Sequence, residues 1–248
     1  MPSPFLTARW RYLAMLNYAV PPEVLAPFVP AGTELDSWRG TTFASVVGFL
    51  FLDTRVLGVA IPGHRDFEEV NLRFYVRRKA AEGWRRGVVF VKEIVPRMAI
   101  AATARLLYGE KYVALPMRHS ITGDPARAGM YVQYGWRLRG FGGFRGHWNG
   151  LGAVATGSAA EVAPDSEEEF ITEHYWGYSS TRGGGCVEYQ VEHPRWRVWK
   201  LQRPVLDCDV AALYGERFTA PLAAEPSSAF LADGSTVVVH RGRRLERP

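Results

Sequence analysis

The sequence predicts a mainly β (α+β) fold: a closed or double-layered antiparallel sheet, with a few short helices covering its edges or ends. Three observations carry that expectation. Segments with period-two alternation, separated by Gly-rich breaks, dominate the chain. Helical patterns are few and short. Hydrophobic residues make up 47% of the 248 positions, enough to bury a sizeable core in one large β-rich unit. No stretch has the composition of a linker and no internal repeat is visible, so residues 1–248 are expected to form a single domain.

Residues 22–28 place Pro22 in a first helical turn, with Pro30 as the stop. Residues 41–52 read as a strand buried on both faces. Residues 67–76 and 87–95, joined by a charged turn around Ala80-Ala81-Glu82-Gly83, read as a long antiparallel hairpin. Residues 97–108 are Ala-rich and close on Gly109, the pattern of a helix with a C-terminal glycine cap. Further strands are expected at 112–120, 130–138, 144–155, 175–181, 186–191 and 198–201, with Gly183-Gly184-Gly185 as a hairpin turn. Ser166 followed by Glu169 forms a capping box that opens a helical turn through about Glu173. Residues 209–215 are expected to hold another short helix.

Charge and motifs exclude several function classes. The formal charge is +5, but residues 77–86 hold five basic groups and one acid, and residues 241–248 hold four arginines and one Glu. The excess therefore sits at a hairpin tip and a tail, where solvated charge is ordinary, and no nucleic-acid partner is expected. The longest apolar run, residues 43–52, is half a membrane span, so no membrane partner is expected either. The N-terminal stretch has prolines where an export signal needs Lys or Arg, which makes the cytoplasm the expected compartment. Cys186 and Cys208 read as reduced thiols. The six histidines show no HxH, HExxH or facial-triad spacing, so no metal is expected. Gly140 to Gly146 lacks dinucleotide-site spacing, and neither a phosphate-binding GxxxxGK[ST] nor a GxSxG occurs, so no cofactor is expected.

Three clusters carry chemistry. In the strand 67–76, alternation puts Val70, Leu72, Phe74 and Val76 on one face and Glu69, Asn71, Arg73 and Tyr75 on the other. On an outer surface the second face would be solvated. Inside a closed sheet it is a polar strip roughly 13 Å long at strand rise, able to orient a small carboxylate or carbonyl. The second cluster, Arg105 to Tyr112, lies at a helix-to-strand junction, where pockets form. The third is Phe170-Ile171-Thr172-Glu173-His174-Tyr175-Trp176 with Glu192-His193-Pro194-Arg195-Trp196, aromatic and imidazole groups suited either to packing or to walling a pocket.

Read together, Pro22-Glu23-Val24-Leu25, Gly48-Phe49, Ile61-Pro62, the 67–76 strand, Ala104-Arg105 to Tyr108-Gly109-Glu110, Phe170 to Tyr175 and Glu192 to Trp196 resemble the YqjF-like family of uncharacterised bacterial proteins, within the acetoacetate-decarboxylase-like superfamily. The resemblance implies a cone-like closed antiparallel β-structure with a central cavity and a few helices. The decarboxylase relatives carry Arg-Glu-x-x-Gly-x-Pro-Lys-Lys, whose first Lys forms a Schiff base while the second depresses its pKa. Aligned on Arg105 and Gly109, this chain places Tyr112 and Val113 on the two lysines. Lys111 falls one residue early, facing the opposite side of an extended segment. The remaining lysines, Lys79, Lys92 and Lys200, lie elsewhere. The resemblance thus implies the fold without its Schiff-base nucleophile.

The expected function is binding of a small polar ligand, a carboxylate or carbonyl compound, by Glu69, Asn71, Arg73, Arg105, Tyr112 and His193. An enzyme acting by acid–base chemistry on a keto or enol substrate is the alternative, with Glu69, Tyr112 and Lys111 as catalytic candidates. An oligomeric scaffold without a small ligand is the third reading, and a homo-oligomer is compatible with all of them.

Overall fold

A computed structural model describes residues 4–97, 111–127, 129–138, 146–181 and 183–245. Among them the strands are β1 (Pro4–Ala19), β2 (Glu34–Leu35), β3 (Phe43–Val56), β4 (Phe67–Ala80), β5 (Gly83–Val95), β6 (Tyr112–Ala114), β7 (Met117–Asp124) and β8 (Gly129–Arg137). They continue with β9 (Trp148–Ala155), β10 (Ala160–Glu161), β11 (Trp176–Ser180), β12 (Cys186–Glu192), β13 (Arg197–Asp207), β14 (Ser228–His240) and β15 (Arg243–Leu245). The α-helices are α1 (Pro22–Leu25), α2 (Glu167–Thr172), α3 (Val210–Tyr214) and α4 (Thr219–Ala223). The mainly β expectation is met. The helix expected at 97–108 and the Gly140–Arg145 stretch lie outside the described residues apart from Arg97.

The sheet closes on itself. Following hydrogen-bonded neighbours, β1, β3, β4, β5, β11, β12 and β14 form a ring, since β14 pairs with both β1 and β12. Strands β13, β9, β8 and β7 continue from β14 as a second layer against the outside of β3 and β4. The fit between layers is tight at Gly48, where an added Cβ would lie 2.6 Å from the Tyr134 ring. The pairing is antiparallel with two exceptions: β5 runs parallel to β11 and to β6.

Alternation divides the apolar side chains into two cores. Val70, Leu72, Phe74 and Val76 of β4 face outward and pack with Tyr134, Trp136 and Leu151 between the layers. Leu13, Met15, Val47, Phe49, Phe51, Phe67 and Trp196 fill the interior of the ring. The hairpin of β4 and β5 turns on Ala81 and Glu82, with Ala80 opposite Gly83. Ser166 caps α2 as its sequence predicts, accepting from the Glu169 N–H at 3.1 Å, and Asp209 caps α3 in the same way.

Two long strands escape the sequence patterns, and both are central. β1 and β14 pair along most of their length and form the back of the ring. β1 is rich in residues that suit a helix, and its register shifts around Tyr12, whose φ is +55°, so period-two alternation is lost. In β14 the pair Asp233-Gly234 reads as a turn, but Gly234 continues the strand at φ +79°, where a Cβ would meet the Trp10 carbonyl at 2.1 Å.

The basic hairpin tip also needs correcting, because its charge is not simply solvated. Arg78 and Arg85 of the hairpin and Arg243 of β15 converge on Glu188 of β12, whose side chain is 0% exposed, and Tyr178 also donates to that carboxylate. The two basic segments of the sequence thus clamp the same buried acid and tie the hairpin to the ring. Removing one member of such a cluster leaves uncompensated charge, so Glu188→Ala should cost about 3–5 kcal/mol in urea denaturation. A loss under about 1 kcal/mol would show the arginines to be solvated instead.

Candidate functional site

The ring encloses a cavity of about 200 Å³. Its walls are mostly apolar: Trp10 of β1, Val47, Phe49 and Phe51 of β3, Phe67 of β4, Val88 and Phe90 of β5 and Trp196. Phe51 and Phe67 stack face to face with centroids 4.7 Å apart, and Trp10 meets Phe49 and Phe51 edge-on. The segment between β3 and β4 contributes Ile61 and His64 at one end. At the other, α2 and the turn after it supply Thr172 and His174.

Polar groups gather on one wall. Glu69, Asn71 and Arg73 of β4 line the cavity, as the alternation of that strand permits. Glu93 joins them through a bulge. Arg73 pairs with Phe90 and Leu72 with Lys92, leaving Val91 extra, so Phe90 and Glu93 both face inward although three residues apart. Tyr112 of β6 lies beside Glu93 by register and completes the set.

These groups form one hydrogen-bonded unit. The Tyr112 hydroxyl donates to Glu69 Oε2 at 3.2 Å, and Asn71 Nδ2 donates to Glu69 Oε1 at 3.0 Å. The Glu93 carboxyl hydrogen-bonds the same phenol. Burial pushes the Glu69 carboxyl up to about 7, against the opposing pull of Asn71, Tyr112 and the Arg73 guanidinium. Burial and the two neighbouring carboxyls also raise the Tyr112 phenol well above its usual value, so it stays a hydroxyl. Burial, with Arg86 and Arg73 nearby, holds His174 neutral by lowering its pKa well below the usual imidazole range.

Arginines of the ring fix the base of the cavity. Arg73 Nη2 donates to the Ile171 carbonyl and Arg86 Nη2 to the Phe170 carbonyl, satisfying two orphan acceptors at the C-terminal end of α2. Arg86 is itself held by buried Asp36 at 2.7 Å. Behind them Tyr75 donates to Ser45, Ser45 to Asn17, Asn17 to Ser228 and Ser228 to Glu167, a chain that ties four ring strands to α2.

Two cavity atoms have no protein partner, Asn71 Oδ1 and Arg73 Nε, and the His174 ring buried beside them faces the Ile171 carbonyl. His193, stacked 4.2 Å from Trp196, also lines the cavity, with Nδ1 donating to the Pro194 carbonyl. Burial lowers its pKa too. Of the residues singled out from the sequence, Glu69, Asn71, Arg73, Tyr112 and His193 are therefore brought together. Lys111 is not: its Nζ lies 4.9 Å from the Phe28 ring centroid, on the outer side. Arg105 lies outside the described residues. All four lysines of the chain are described, and none lines the cavity. Sequence reasoning missed Glu93 and Trp10, and it named His174 only as part of an aromatic cluster. Among the described residues no group of His, Cys, Asp and Glu is arranged to hold a metal, and no helix is long and apolar enough to cross a membrane.

A model of the DUF2071 family, described as an uncharacterized conserved protein, matches residues 7–236. The chain belongs to the DUF2071 family. Among curated proteins it is similar to the uncharacterized protein YqjF of Bacillus subtilis (strain 168), with 26% identity over 204 residues, covering 81% of this chain and 76% of that one. Solved structures with the same fold include an acetoacetate decarboxylase-like enzyme from Sphingomonas wittichii RW1, at TM-score 0.69 and 15% identity over 99% of this chain and 95% of that one. The enduracididine biosynthesis enzyme MppR complexed with pyruvate follows at 0.67 and 14%, over 100% and 92%. Acetoacetate decarboxylase from Legionella pneumophila gives 0.64 and 12%, over 99% and 88%. At these identities the likeness establishes the fold. This DUF2071 member has the acetoacetate decarboxylase-like fold, with a phenol and two carboxyls, and no lysine, at the polar wall.

The raised Glu69 pKa has a stability consequence with a definite sign. The folded chain holds that proton more tightly than the unfolded one, whose value is near 4.5. Ionising it costs nothing below about pH 4.5 and destabilises the fold progressively as pH rises to about 7. Glu69→Gln should therefore be more stable than the parent at pH 8 by about 1–3 kcal/mol, at 1.36 kcal/mol per pKa unit, with the difference vanishing near pH 4.5. Paired denaturation curves at the two pH values check this.

Proposed function

We propose that the chain binds a small, largely apolar molecule in the ring cavity, and that the molecule carries a carbonyl oxygen next to a hydrogen-bond donor. The observation that carries this reading is the set of buried polar atoms left without partners inside an apolar enclosure. A buried donor or acceptor without a partner costs about 1–3 kcal/mol, so the cluster is stable only when something else satisfies it. Arg73 Nε–H needs an acceptor, and Asn71 Oδ1 needs a donor. Neutral His174, with its ring toward the Ile171 carbonyl, leaves an acceptor nitrogen. The apolar walls suit a hydrocarbon or aromatic body.

Charge narrows the class. Arg73 is the one cation of the polar wall and shares its guanidinium with Ile171, while Glu69 and Glu93 are two acids beside it. A neutral carbonyl compound, or a carboxyl that arrives protonated, fits this better than a carboxylate anion. Nucleic acid suits the protein less, because arginines of both basic segments are engaged by Glu188. We infer a cytoplasmic setting, in which the free thiols Cys186 and Cys208 stay reduced.

A thermal-shift series of small ketones, hydroxy ketones, amides and carboxylic acids tests the proposal. At a hundredfold excess over Kd a ligand adds about 2.7 kcal/mol, which raises Tm by roughly 5–10 °C for a chain of this size. Hydroxy ketones or amides should give the largest shifts, and Asn71→Leu should abolish them while leaving the chain folded. If no compound shifts the midpoint, the cavity is not a site for this class.

A further inference from the structure

The polar wall offers more than hydrogen bonds. Glu69 projects into the cavity from the strand that also carries the unpartnered Asn71 Oδ1 and Arg73 Nε. Its carboxylate is steadied by Asn71 Nδ2 on one oxygen and by Tyr112 on the other. Each oxygen has two lone pairs, so one remains on each for a bound molecule. The two donors fix the orientation of the group, and the basicity they take from it is outweighed by burial. The surrounding walls are mostly apolar, which strengthens electrostatic interactions at the group.

We propose that this chain is a proton-transfer enzyme in which Glu69 is the catalytic base, acting on a small α-hydroxy ketone or α-hydroxy aldehyde and interconverting its two carbonyl isomers through an enediol. The proposal rests on the ligand class assigned to the cavity above. The carbonyl oxygen takes the Arg73 Nε–H and the hydroxyl donates to Asn71 Oδ1, which sets the carbon between them toward the wall that carries Glu69. The carbinol C–H bond then breaks and its proton passes to a Glu69 oxygen. The electron pair of that bond becomes the C=C bond, and the carbonyl π pair moves onto its oxygen, giving an enediolate under the guanidinium. A proton passes between the two adjacent oxygens, and Glu69 returns its own proton to the former carbonyl carbon. The product is the isomeric hydroxy ketone, and the residues end as they began. No oxidant, reductant or lysine takes part.

Tyr112 and Glu93 are positioning residues. The phenol holds the Glu69 carboxylate and is held in turn by the Glu93 carboxyl. The Glu69 pKa of about 7 suits a base that must release its proton each turn.

The test uses 1-hydroxy-1-phenylpropan-2-one, with hydroxyacetone and acetoin as smaller probes, incubated with the full-length protein in D2O. Binding is read by thermal shift. Chemistry is read by proton NMR, as deuterium uptake at the carbinol carbon or appearance of 2-hydroxy-1-phenylpropan-1-one. The expected result is binding of at least one probe with isomerisation or exchange above the protein-free rate. Glu69→Gln should bind it but lose about 10²–10⁴-fold in rate, and Glu69→Asp, its carboxylate withdrawn by one methylene, should keep a reduced rate. Should either variant fail to fold, the other decides, with Tyr112→Phe as a third that lowers kcat more than it changes KM. Binding without exchange or isomerisation overturns the enzymatic proposal and leaves the ligand class intact. Failure of every probe to bind overturns both.

Discussion

The pairing of β12 with β14, through Val191 opposite Val239 and Glu192 opposite Val238, decides what the rest of the molecule can do. Without it the sheet would be an open layer, and Glu69, Asn71 and Arg73 would be the solvated face of a strand. With it the sheet closes into a ring, their side of β4 becomes an interior, and apolar residues of the neighbouring strands surround them. The closure is supported from outside by the arginines gathered on Glu188. At the base, the buried run of hydroxyls and amide from Tyr75 to Glu167 joins the ring to α2.

Enclosure changes the chemistry of the side chains it captures. A carboxyl in water is a weak base that is always ionised near neutrality. Inside the ring, loss of solvation outweighs the help Glu69 receives from Asn71, Tyr112 and Arg73. The resemblance read from the sequence implies relatives in which enclosure acts instead on a lysine, lowering its pKa so that it forms an imine. Here the side chain in that neighbourhood is a phenol, and the lysine next to it in sequence faces Phe28 on the other side of the strand. The groups this chain presents at the polar wall are two carboxyls and a phenol, and not an amine.

The polar strip of β4 was legible in the sequence because that strand keeps strict alternation through Phe67 to Tyr75, and the register of Tyr112 against Lys111 followed from the same rule. Glu93 was not legible. It reaches the cavity through one extra residue at Val91, and a bulge leaves no compositional mark. β1 and β14 were hidden for related reasons: a positive-φ Tyr12 interrupts the first, and an Asp-Gly pair that looks like a turn lies within the second. Ring closure itself depends on two residue pairs far apart in sequence, which no local pattern encodes. The arginine clusters were visible as charge, but their shared partner Glu188 sits in a strand that reads as ordinary alternation.

The most direct measurement is the titration of the Glu69 carboxyl itself, by carbon NMR of the chain labelled at the glutamate side-chain carboxyl, with the resonance assigned by its loss in Glu69→Gln. An enclosing ring requires that one glutamate resonance move with a midpoint near 7, well above the ordinary glutamate range at about 4.3. A Glu69 midpoint within that ordinary range would mean that water reaches the carboxyl freely, and that the ring does not enclose the site.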